Sequence, residues 1–125
     1  MKLRIKGNSL RLRVTRSEVE RVSMGESIED TICFGPEPNA KLTYALEREK
    51  AINSTTVKYH THKVTIQIPL VLAHDWATSD SVGLSGEVDL GPAGTLHVLV
   101  EKDFACLDKS DEDNKDTFPH PHHQC

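Results

Sequence analysis

The sequence predicts an α+β domain built on a strongly curved antiparallel sheet or open barrel of about eight strands, with two short helices covering it. Three observations carry this expectation. Short runs along most of the chain alternate apolar and polar side chains, which is the period of a half-buried strand. The links between runs are short and rich in Gly, Pro and Asn, which favours antiparallel neighbours. Only RSEVERVSMG and LVLAHDWATS break the alternation, and both read as short helices.

Taken in order, Lys2, Arg4 and Lys6 alternate with Leu3 and Ile5. After Gly7-Asn8-Ser9 the alternation resumes, with Leu10, Leu12 and Val14 against Arg11 and Arg13. The apolar parity changes across Gly7, and a one-residue bulge at Gly-Asn would restore a common core face. Thr15 with Glu18 three residues later is a capping-box start; Val19 and Val22 give the apolar stripe, and Gly25 is the stop. Residues 27–34 read as a strand with Ile28, Ile32 and Phe34 on one side, and residues 41–47 as another with Leu42, Tyr44 and Leu46 inward. The HTHK stretch between Tyr59 and Val64 is a hairpin, and Trp76 anchors the second helix. Residues 81–90 pair with 96–107 across a Gly-Pro-Ala-Gly connector. That last run is the chain's best core strand and is expected in the interior.

With 125 residues the chain fits one core, assigned to residues 1–107, with 108–125 an acidic, then His/Pro-rich tail packed on it. A net charge of −4 disfavours nucleic acid as a partner, though the first twenty or so residues are basic. No run has the length of a membrane span, and no signal-type segment opens the chain, so no membrane and a cytoplasmic location are expected. Cys33, Cys106 and Cys125 are an odd number at spacings that match no zinc-finger or redox pattern, so thiols or metal thiolates are expected.

The blocks KLRIKGNSLRLRVTRSEVE at 2–20 and VEKDFACL at 100–107, with VGLSG and the later DTFPHP, resemble a family of small bacterial proteins of unknown function. The resemblance implies no substrate and no catalytic residue. It does imply that the acidic run and FPHP belong to the natural protein.

Three constellations could carry chemistry. The first is Cys106 with His120, His122, His123 and Cys125, a set of imidazole and thiolate donors suited to Zn or Cu at about 2.0–2.3 Å. Pro119 and Pro121 favour polyproline II, whose three-residue repeat would point His120 and His123 the same way. The plainer reading is a solvated tail and a small buried thiol. The second is His60 with His62, which would share a side if both sat in a strand; an exposed turn is the plainer alternative. The third is the basic set Lys2, Arg4, Lys6, Arg11 and Arg13, suited to a phosphate-type anion, against the plainer reading of edge charges paired with Glu47, Glu49 and Glu101. No G-x-S-x-G, G-x-G-x-x-G or Walker loop is present, so an enzyme ranks below metal binding and non-catalytic interaction. Oligomeric state is open.

Overall fold

In the computed structural model, which describes residues 1–104 and 115–119, eight strands and two helices form two four-stranded sheets. The chain runs β1 (Lys2–Lys6), β2 (Ser9–Val14), α1 (Arg16–Ser23), β3 (Ile28–Cys33), β4 (Lys41–Glu49), β5 (Thr56–His60), β6 (Lys63–Pro69), α2 (Leu70–Thr78), β7 (Gly83–Asp89) and β8 (Thr95–Lys102). The α+β class with two short helices is as expected. The single antiparallel sheet or open barrel is not: one sheet has the order β1-β2-β8-β7 and the other β3-β4-β6-β5. Each joins two antiparallel hairpins through a parallel central pair, β2 with β8 and β4 with β6. Local turns hid this, because the parallel pairings are contacts between distant parts of the chain.

The order of elements repeats. Two strands, a helix and two strands occur twice, and the hydrophobic positions repeat with them. Leu12, Val14, Val19 and Val22 are all buried, and so are Ile66, Ile68, Ala73 and Trp76, each 54 positions later, as 66 is from 12. The pairing registers match as well: Lys2 faces Arg13 as Thr56 faces Gln67, and Leu12 faces Val100 as Ile66 faces Leu46. The molecule is thus two ββαββ halves that exchange their second hairpins, so each sheet holds one hairpin from either half. Both sheets and both helices supply the one hydrophobic core.

Local chemistry fixes the elements. Thr15 caps α1 in a full capping box with Glu18, and the helix ends in a Schellman motif, with Gly25 (φ 96°) donating to Val22 O and Glu26 donating to Arg21 O. The expected bulge at Gly7-Asn8 is instead a hairpin turn that reverses the chain, with Gly7 at φ 55°. Reversal, rather than an extra residue, aligns the two parities, since directly opposed residues in an antiparallel pair share a face. Leu3, Ile5, Leu10 and Leu12 therefore point to the core side together. The β8 strand sits between two neighbours as expected and ends at Lys102; Phe104 then bridges Phe118. Of the side chains placed together on the third strand, Ile28 is buried but Ile32 and Phe34 are exposed at its far end. Residues 115–119 lie on the body, Asp116 accepting from Arg16 N and Ser17 N, and Phe118 N donating to Asp103 O.

Candidate anion-binding face

The hairpin register gathers the five basic side chains. Lys2 stands opposite Arg13, Arg4 opposite Arg11, and Lys6 opposite Ser9, so all five cations occupy the solvent face of β1–β2. Like charges placed directly across an antiparallel pair destabilise it, so the hairpin carries a cost that its fold does not require. The next strand offsets part of it. Glu101 accepts from Arg11 Nε at 2.7 Å and from Arg13 Nε at 2.8 Å. Lys2 Nζ lies 3.6 Å from Asp103 Oδ2. Among the described residues no carboxylate lies within ion-pair distance of Arg4 or Lys6.

Arg4, Lys6, Ser9 and Arg11 line a depression of about 230 Å³. It opens beside a wider shallow trough of about 630 Å³ floored by β8 and β7, where His97 Nδ1 lies 3.6 Å from Glu87 Oε1. Burial alone would raise the pKa of Glu101, but the hydrogen bonds and charges of Arg11 and Arg13 outweigh it and hold the carboxyl below its usual range. The face therefore keeps its carboxylate ionised, and two of its guanidinium groups are oriented by it. Chemically the depression offers guanidinium and ammonium donors, the groups that recognise phosphate oxygens, while the Ser9 hydroxyl on its wall donates to Lys6 O at 2.6 Å.

Of the acidic partners expected for these cations, only Glu101 is one. Glu47 accepts from Gln67 Nε2 at 2.9 Å in the other sheet, and Glu49 accepts from Ala51 N. Ser9 was not foreseen as part of the site; reading Gly7-Asn8 as a two-residue turn would have placed it opposite Lys6.

The metal candidates fall elsewhere. Cys106, His120, His122, His123 and Cys125 all lie outside the described residues. Among the described residues no group of three or more His, Cys, Asp or Glu is placed to hold a metal ion. His60 ends β5 and is exposed, whereas His62 sits in the turn at φ 64°, so the two do not share a strand. A second depression, about 570 Å³, lies between α2 and the 115–119 segment, with Lys102 on its wall. Burial lowers the pKa of Lys102, against the pull of Asp80 and Asp75. Its ammonium donates to Ser79 O at 2.8 Å and stands over the Phe118 ring. The matching residue in the first half, Arg48, donates to the carbonyl of Ser23, the last residue of α1, so Lys102 is explained by helix termination.

The fold and face define an internally duplicated, two-sheet α+β protein with a cation-rich surface on one hairpin. The chain belongs to a family of unknown function, DUF7009, whose model matches residues 1–122 and so includes His120 and His122 but not His123 or Cys125. No curated protein and no solved structure matches it. No described helix is long and apolar enough to cross a membrane.

Proposed function

We propose that the protein is a non-catalytic module that binds a compact phosphate-type anion on the solvent face of β1–β2. Arg4, Lys6 and Arg11 make the cradle on a wall that includes Ser9, with Lys2 and Arg13 flanking it. One observation carries the reading: the second hairpin is an internal control. β5–β6 repeats β1–β2 in register, yet at the positions of Lys2, Arg4, Lys6, Arg11 and Arg13 it has Thr56, Lys58, His60, Thr65 and Gln67. At the position of Ser9 it has Lys63, which pairs with Glu29, so two lysines serve this face where the first hairpin sets five cations, more than a hairpin of this shape needs for packing or edge protection. Calorimetric titration with tripolyphosphate at low salt tests it. Arg4→Ala and Arg11→Ala should each weaken binding about tenfold, the value of a lost charged hydrogen bond, and added salt should weaken it further. Undiminished affinity in both variants would remove the face from consideration.

A second reading, metal binding by the tail, is favoured by the way Phe118 is held. Arg16 and Lys102 lie over its ring and Phe104 meets it edge-on, so His120 follows a fixed point on the body by two residues. On this reading Cys106 with the tail His and Cys donors would take Zn or Cu. Elemental analysis of the protein truncated after Pro119 checks this, and metal retained at full stoichiometry by the truncated chain would exclude the tail.

A further inference from the structure

On the other side of β1–β2 from the cationic depression, the two sheets part. At the end of the molecule away from the helices, Leu10, Val64, Val88 and Leu96 wall an apolar cleft of about 320 Å³, with Ile5 and Tyr59 on its rim. Ile5 is 60 % and Tyr59 65 % exposed. These two residues occupy matching positions in the two halves, as do Leu10 and Val64, so the cleft lies where the halves meet tip to tip. Its volume is near the lower end of small-molecule sites, which run from about 300 to 1,000 Å³ and are mostly apolar with a few polar groups at one side. That limits the occupant to one short chain.

The cleft and the cationic depression are two sides of one lip. Ser9 lines both, and the alternation of β1 turns Ile5 to the cleft while Arg4 and Lys6 face the depression. We infer that the ligand is a single-chain anionic amphiphile, with its phosphate-type head on Arg4, Lys6 and Arg11 and its alkyl chain between the sheets. This rests on the anion reading and adds the apolar half of the ligand. A free inorganic anion would use the depression and leave the cleft exposed; an amphiphile uses both, and the β1–β2 side of the opening carries the denser positive charge, since β5–β6 offers Lys58 and a Lys63 that is paired with Glu29 at 2.8 Å.

The test is a series of alkyl phosphates from butyl to octyl, below their micelle concentrations, with inorganic phosphate and octanol as references. Affinity should rise roughly threefold for each added methylene, the effect of burying most of a CH₂ group. Ile5→Gln and Tyr59→Gln change exposed rim positions, so the fold should survive; each should flatten that slope. Arg4→Ala should weaken every phosphate equally and leave the slope intact. A flat series with tripolyphosphate still bound would overturn the amphiphile and leave the anion reading standing. Octanol binding as well as octyl phosphate, with no effect of Arg4→Ala, would overturn both. Light scattering on the same samples covers the remaining occupant: a dimer dissociated by Ile5→Gln would give the cleft to a second copy of the chain and overturn the inference.

Discussion

The first and second ββαββ halves share element order, register and core positions, yet they put their side chains to different use. The first half holds the five-cation face and the capping box, and the 115–119 segment rests on both halves, through Arg16 in one and Lys102 in the other. The second holds the largest buried side chain, Trp76, and a helix that starts at Pro69 with no side-chain cap. The seams differ too. β5 and β7 approach closely enough that a Cβ on Gly86 would stand 2.8 Å from Thr55 Cβ, whereas among the described residues β1 and β3 make no comparable approach. What the two halves have in common is what the fold requires; what differs is free for function. By that criterion Arg13 is partly structural, since Gln67 at the matching position also bonds the neighbouring strand's glutamate. Lys6, matched by His60, is not; at Arg4 the halves share a cation, Lys58, but not the guanidinium.

The largest expected effect breaks the two halves' apparent equivalence in the core. Trp76 and Val22 occupy matching helix positions, both buried, but Trp76 fills far more volume and donates its indole N–H to Val82 O at 3.3 Å. Trp76→Ala should cost about 3–5 kcal/mol by urea unfolding, close to the whole stability of a small domain. Val22→Ala deletes fewer atoms and should cost clearly less. Equal losses would mean that the core rests on the two halves evenly.

A smaller effect concerns the helix starts. Glu18 accepts from Thr15 N and Thr15 Oγ1 and binds the N-terminal ammonium at 2.9 Å. Burial would raise its pKa, but these hydrogen bonds and the N-terminal charge hold it below the usual range. Thr15→Ala should therefore lower stability by about 1 kcal/mol, up to about 2. The α2 helix, lacking a side-chain cap, must rely on the packing of Ala73 and Trp76, so Pro69→Ala should remove no cap hydrogen bond. A Thr15→Ala protein as stable as the parent would show that packing alone holds both helices.

Much of this was legible in the residues. Alternation located the strands, Thr15 with Glu18 and Gly25 gave both ends of α1, and the basic face was visible in the spacing of Lys2, Arg4 and Lys6. The sheet arrangement was not, because β2 with β8 and β4 with β6 are parallel pairings across many residues, and no local turn encodes them. The repeat was obscured for a related reason: burial is preserved at matching positions while identity is not, as Val22 and Trp76 show. The cleft escaped notice because Ile5, Leu10 and Tyr59 look like ordinary core residues until the sheets are seen to part.

The smallest expected effect sharpens the comparison at one matched pair, Glu101 and Glu47. Glu101 is buried between two guanidinium groups, whereas Glu47 meets the neutral amide of Gln67. Because the folded pKa of Glu101 is depressed, the folded protein holds fewer protons than the unfolded chain near pH 4.5, the group's ordinary value. Its contribution is then fully present above that pH and is lost as pH falls through the depressed folded value. Glu101→Gln should cost on the order of 1 kcal/mol at pH 7, since charged hydrogen bonds are lost from partly exposed arginines. The deficit against the parent should shrink in urea melts at pH 3.5. Glu47→Gln can still accept from Gln67 through its amide oxygen, so its cost should be smaller. The same Glu101→Gln change frees Arg11 and Arg13, so tripolyphosphate should bind several-fold tighter to this variant than to the parent. A deficit independent of pH, with unchanged anion affinity, would place the contribution of Glu101 in packing instead of charge, and would remove the distinction between the two halves at this pair.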